Sequence, residues 1–234
     1  MSYDSLGHWQ RMAAALADDV LAGYLPQKGN AKFMAWVSNG PTEVWMSAKK
    51  TIREPEDVKG LIFRTPPSPV YMRAPEALGA SPASISAGEL YTAYQRGTVD
   101  ASFSNSKGAT LNKWYEVAPY ISRILTHPEA TFAFVVNLDS WNKLSPDVQK
   151  IIMEAAQEAG DWTFTVSAQS NEDYWKGLYE FEKQGVIKEI YVIPDETVKK
   201  FVAIVKPYQA AAFSKEYPDI APGLLDLLDQ TKDK

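Results

Sequence analysis

The sequence predicts an α/β protein built in two lobes. Three observations carry that expectation. Segments with strand and helix periods alternate along the chain, one helical pattern is too long for a single lobe, and 234 residues exceed one small domain.

Residues 8–25 place Trp9, Met12, Leu16, Val20 and Leu21 at helical spacing, and Pro26 and Gly29 should end that helix. Lys32–Val37 is a short apolar run that reads as a buried strand. Asn39-Gly40-Pro41 signals a turn, and Glu43–Met46 is expected to run extended. Gly60–Thr65 is a further strand, stopped by Pro66-Pro67. Ser68 and Pro69 read as the cap and first position of a helix that reaches Leu78, kinks at Pro75 and ends at Gly79. Glu89–Gln95 is a helix ended by Gly97, and Thr98–Phe103 is a strand.

The strongest local signal follows a strand over Phe132–Asn137. Ser145-Pro146-Asp147 supplies a cap, a first-turn proline and a carboxylate at the positive end of the helix dipole. Val148, Ile152, Ala155, Ala159, Trp162 and Val166 then recur every three or four residues, and the pattern continues through Tyr174, Leu178 and Phe181 to Gly185. Read as one element, about 38 residues span roughly 57 Å at 1.5 Å per residue, so the helix would brace two lobes. Two helices broken near Gly160 or Ser170-Asn171 are the alternative. A strand over Glu189–Ile193, a helix from Thr197 bent at Pro207, and an amphipathic helix over Ile220–Leu228 complete the chain.

Composition excludes several functions. The 24 Lys and Arg against 29 Asp and Glu give a net charge of −5 with no basic stripe, so no nucleic-acid partner is expected. The absence of cysteine removes disulfides, thiol nucleophiles and thiolate metal sites. No apolar run approaches the roughly 18 residues that span a bilayer, so no direct membrane insertion is expected. Met1-Ser2-Tyr3-Asp4-Ser5 does not read as a signal peptide. The histidines, His8 and His127, lie far apart, and neither belongs to a nucleophile or metal motif. Glu154 and Glu158 at i, i+4 read as a solvated face. No cofactor or metal is expected, and catalysis is the minority reading.

One residue stands out. Arg64 ends the strand Leu61-Ile62-Phe63-Arg64 and precedes Thr65-Pro66-Pro67, whose prolines carry no N–H and stop the sheet. In open α/β sheets, ligands sit beyond the carboxyl ends of strands. A guanidinium there offers two parallel donors matched to a carboxylate. The plainer alternative is a surface arginine paired with a neighbouring acid.

The run Pro55-Glu56-Asp57-Val58-Lys59-Gly60-Leu61-Ile62-Phe63-Arg64-Thr65-Pro66 resembles a signature of TRAP transporter solute-binding proteins. Collinear blocks follow at Ser68–Met72, Leu78–Pro82, Glu89–Ala93, Gly97–Asp100, Trp114–Val117 and Trp141–Lys150, so the resemblance covers essentially the whole chain. It implies a two-lobed periplasmic-binding-protein-like fold with a long lobe-spanning helix. Such a receptor binds a small organic acid between its lobes and delivers it to membrane permease subunits, as a monomer in the periplasm. The family's carboxylate-clamping arginine falls on Arg64, and its cleft positions fall on Phe103, Ser104 and Asn105. Either Ser104 or Asn105 can bond the acid. Val44-Trp45 stands where sialic-acid members carry a second arginine, which suggests an aromatic wall of Trp45 with Tyr71. A packed strand aromatic is the alternative for Trp45.

The resemblance further implies that the first lobe is incomplete, the chain being a fragment whose exported parent supplies the leading strands. Residues 1–41 would be a remnant of lobe I, 42–129 lobe II, and 130–168 the return to lobe I with the first half of the long helix. Residues 169–234 would hold its second half and a C-terminal part packing on lobe II. A sensor module for a signalling partner would use the same cleft, and an enzyme on this scaffold would need a titratable pair there.

Overall fold

The computed structural model describes Ala13, residues 15–125 and residues 129–230. Trp9, Met12, His8 and His127 lie outside the described residues. A π-helical turn at Leu16–Leu21 leads into α1 (Ala22–Gly29), followed by β1 (Ala31–Pro41), β2 (Val44–Ser47) and β3 (Ile62–Thr65). Then come α2 (Pro69–Ala77), β4 (Ser81–Ser84), α3 (Ala87–Gln95), β5 (Ala101–Ser104) and α4 (Ser106–Leu111). The remainder is β6 (Tyr120–Ile124), β7 (Glu129–Asn137), α5 (Leu138–Trp141), α6 (Pro146–Lys183), β8 (Glu189–Ile193), α7 (Asp195–Glu216) and α8 (Ala221–Gln230).

The chain divides into two compact units. Among the described residues, unit one takes 41–125 and 170–219, and unit two takes Ala13, 15–40, 129–169 and 220–230. In unit one six strands form a sheet in the order β4-β3-β5-β2-β6-β8. β2 runs antiparallel to both its neighbours, and the other pairs are parallel.

Alternation along the strands sends residues to two cores. On one face Val44, Met46 and Ile121 pack with Leu90 and Tyr94 of α3, Ala109 of α4, and Trp175 and Leu178 of α6. On the other, Phe63, Ala101, Ile124 and Ile193 pack with Ile52, Val58, Leu78 and Phe201 of α7. Leu178 is fully buried, which contributes about 2 kcal/mol by area removed from water.

Unit two holds a sheet of two strands, β1 and β7. α6 approaches β1 closely at Gly160, where an added Cβ would lie 2.5 Å from the Trp36 carbonyl oxygen. The Ser38 amide donates to Thr163 Oγ1 at 2.8 Å, and Trp36 Nε1 donates to the Ala13 carbonyl at 2.9 Å. Met34, Trp141 and Ala156 form a small core.

Several sequence expectations need correction. Helix α1 continues past Pro26 and ends where Asn30 turns left-handed (φ 45°, ψ 43°), its amide donating to the Leu25 carbonyl. A proline removes one donor without forbidding the turn beyond it. Ser68 makes no side-chain cap bond, so Pro69 alone sets the start of α2. The long helix, by contrast, is the single element expected, unbroken at Gly160 and at Ser170-Asn171. α8 groups with unit two, whereas the sequence reading kept everything from 169 onward with lobe II. The chain leaves α7 at Tyr217, before Pro218, and from 220 on it clusters with the other unit.

Candidate functional site

Strand order in unit one creates a topological switch. β3 and β5 are parallel neighbours, yet the chain leaves β3 for α2 on one face and β5 for α4 on the other. Connections that diverge in this way open a crevice at the strand carboxyl ends. Arg64 stands one residue before the end of β3, and Ser104 is the last residue of β5.

Arg64 sits opposite Ala83 on β4 and Ser102 on β5, and only 5% of it is exposed. Its Nε donates to the Ile85 carbonyl at 2.7 Å, in the turn that leads to α3. The terminal guanidinium nitrogens meet no acceptor among the described residues, yet they are not sealed from solvent. No carboxylate among the described residues pairs with Arg64, which disposes of the surface ion-pair alternative there. Burial pulls its pKa below the usual arginine value while nearby Tyr94 acts the other way, and arginine stays protonated at any physiological pH.

Tyr94 lies beneath this arginine on α3. Its hydroxyl hydrogen-bonds Ser102 Oγ at 2.7 Å and reaches the Met46 carbonyl at 3.3 Å, and burial raises its pKa. A neutral phenol therefore helps to floor the arginine's face of the sheet. The sequence reading missed Tyr94, although its place four residues after Leu90, on the buried stripe of α3, was a usable signal.

Ser104 and Asn105 have separate roles. Asn105 caps α4, its Oδ1 accepting from the Gly108 amide at 2.7 Å. Ser104 Oγ lies over the same turn, 2.8 Å from where a Gly108 Cβ would stand, so a side chain there would force Ser104 or Asn105 to shift. The Ser104 hydroxyl makes no hydrogen bond among the described residues. Ser104 faces Val44, two residues beyond Ser102, and so shares the sheet face of Arg64.

The aromatic candidates lie elsewhere. Trp45 and Phe103 are cross-strand partners on the opposite face. Trp45 packs edge-on against Phe63 at 5.6 Å and Phe201 at 5.1 Å, so it is a packed strand aromatic. Phe103 contacts Phe63 at 5.9 Å and Tyr71 at 5.8 Å, and Tyr71 remains 39% exposed. Alternation turns Trp45 away from the arginine's face, and Tyr71 is linked to Trp45 only through the row of Phe63 and Phe103. Arg64 and Ser104 share one face of the sheet, with Asn105 capping the helix that follows, and Trp45 and Phe103 lie on the other face.

A family comparison fits this geometry. The profile of bacterial extracellular solute-binding proteins, family 7, matches residues 7–216. The chain belongs to this family. A solute-binding protein of Sulfitobacter sp. strain NAS-14.1 is 30% identical across 99% of this chain and 66% of that relative. The 2,3-diketo-L-gulonate-binding periplasmic protein YiaO of Escherichia coli K12 is 28% identical over 93% of this chain and 62% of its own length. A solved TRAP periplasmic solute-binding protein from Sulfitobacter sp. NAS-14.1, with bound α-D-taluronate, superposes with a TM-score of 0.77. It is 26% identical, and the match covers 98% of this chain and 70% of that one. The chain thus spans about two thirds of the length of these two curated relatives, and about half or less of several others it matches. Within family 7 the two-lobed α/β fold is shared, and no helix among the described residues is long and apolar enough to cross a membrane.

Proposed function

We propose that this family 7 chain is the solute-capturing part of a TRAP transporter receptor, working in the periplasm as a monomer and handing a small organic acid to membrane permease subunits. The observation that carries the reading is the buried Arg64 guanidinium, with unpaired terminal nitrogens at the switch between β3 and β5. A carboxylate placed there accepts two parallel bonds from a cation whose desolvation is already paid by the fold. Excluding water around the pair strengthens it further. Ser104 supplies a hydroxyl to a polar substituent of the ligand, and Asn105 holds the corner that presents Ser104. Relatives described with taluronate and 2,3-diketo-L-gulonate favour polyhydroxylated acids over purely apolar ones. Tyr71, exposed at the end of its aromatic row, is available to a ligand's apolar edge. No chemical conversion is assigned, since Arg64, Ser104 and Asn105 provide no group able to exchange a proton near neutral pH.

Calorimetric titration of hexuronates and hexonates into the chain and its Arg64→Gln variant tests this reading. Binding of at least one acid should weaken by about 100-fold or more in the variant, as expected when one partner of a buried charge pair is removed. Unchanged affinity would count against the arginine as anchor.

A further inference from the structure

The chain passes between its two units at residues 40–41, within 125–129, at 169–170 and at 219–220. The unit-one roots of the first three passages meet in one cluster, buried at Glu43 and Trp175 and open to solvent at Glu172. Glu43 follows the first, Arg123 stands one residue before the end of β6 and so before the second, and Asn171, Glu172 and Trp175 begin the unit-one part of α6 after the third. Glu43 is 4% exposed and Trp175 1%. Trp175 Nε1 donates to Glu43 Oε1. The Arg123 guanidinium lies 4.1 Å from the centre of the Trp175 ring, with Nε 3.8 Å from Glu43 Oε2 and Nη2 3.4 Å from Glu172 Oε1. The backbone joins the same roots, because the Ile124 amide donates to the Glu43 carbonyl at 2.9 Å. Asn171 lies close enough to Glu43 to favour its ionised form and accepts from Ser106 Oγ at 2.5 Å, which ties the cluster to the corner holding Ser104 and Asn105.

A carboxylate in this position is costly. Burial raises the Glu43 pKa, and that cost exceeds the relief from Trp175, Asn171 and Arg123. Buried ion pairs add little net stability, but they fix geometry. We infer that Glu43, Arg123 and Trp175 form a latch that clamps three passage roots to one another, so that these roots open together rather than one by one. Gly40, at φ 86°, lies just beyond the latch, where a left-handed backbone favours glycine. The inference does not depend on which acid is bound, or on whether one is.

Amide hydrogen exchange on the ligand-free full chain tests it. In Arg123→Met, residues 42–47, 120–125 and 170–176 should exchange about tenfold faster, while β3 and α3 stay within about twofold of the parent. Leu178→Ala, a core change in the same unit, should instead speed exchange across unit one. Glu43→Gln keeps an acceptor for Trp175 but removes the charge, and should give the Arg123→Met pattern at smaller amplitude. If Arg123→Met does not fold, the Glu43→Gln pattern decides. Unchanged exchange at the three roots, or a uniform rise like that of Leu178→Ala, would overturn the latch.

Discussion

In unit one a six-stranded sheet is covered on both faces, whereas unit two builds its sheet from two strands and leaves Phe132, Phe134 and Val135 42–48% exposed. The largest fully buried side chains among the described residues, from Trp175 and Phe63 to Val58, all belong to unit one. A two-stranded sheet is marginal alone, so unit two leans on α6 and its close approach at Gly160. The comparison separates two tasks. Unit one buries a charged side chain near a strand end, and all the buried polar and charged side chains among the described residues belong to it.

The largest effect expected from breaking this contrast comes at Gly160. Gly160→Ala drives a Cβ onto a backbone carbonyl that cannot swing aside, and should destabilise unit two by about 2 kcal/mol. Hydrogen exchange should speed in β1 and residues 150–165 while α3 and β5 keep their protection. Uniform loss of protection would mean that the units do not differ as described. A smaller effect is expected inside unit one. Asn105→Ala removes the α4 cap and should cost about 1 kcal/mol, read as a lower midpoint in chemical denaturation.

Glu43 gives a pH signature confined to unit one. Its folded-state pKa is raised above the ordinary glutamate value, so the folded protein holds that proton more tightly than the unfolded chain does. Its ionisation therefore costs stability as pH rises from the ordinary value through the raised one, and acidification recovers that stability. Glu43→Gln should flatten this component of the stability–pH profile, and an unaltered profile would contradict the assignment. The smallest change in stability is expected at Phe134. Phe134→Thr, at an exposed strand position, should alter stability by no more than about 0.5 kcal/mol while reducing binding of a hydrophobic dye. Undiminished dye binding would place the exposed apolar surface elsewhere.

Legibility in the sequence followed the strength of local signals. Ser145-Pro146 marked the start of α6, and its apolar spacing carried the pattern almost to the end at Lys183. β8 was read at its observed bounds because a short apolar run stands between clear breaks. β4 was missed because Pro82 and its serines look like loop, and an edge strand tolerates both. β6 was hidden by Pro119 before it and by Arg123 within it, whose burial depends on Glu43 and Trp175 far away in sequence. Arg64 could be picked out because a charged residue before two prolines is unusual in a strand. Ser104 could not be separated from Asn105, since the choice rests on a cap bond that only the folded α4 reveals. For Trp45 the sequence left a ligand wall and a packed strand aromatic open, since the contacts with Phe63 and Phe201 join residues far apart in the chain.

In the proposed function Arg64 recognises the charge of a carboxylate. That recognition is tested most directly by titrating a hexuronate such as D-glucuronate, and its uncharged amide, into the chain and into Arg64→Gln. The parent should bind the acid about 100-fold or more tighter than the amide, and the variant should bind the two within a few-fold of each other. Equal binding of acid and amide by the parent, or a preference for the acid that survives the substitution, would contradict the account.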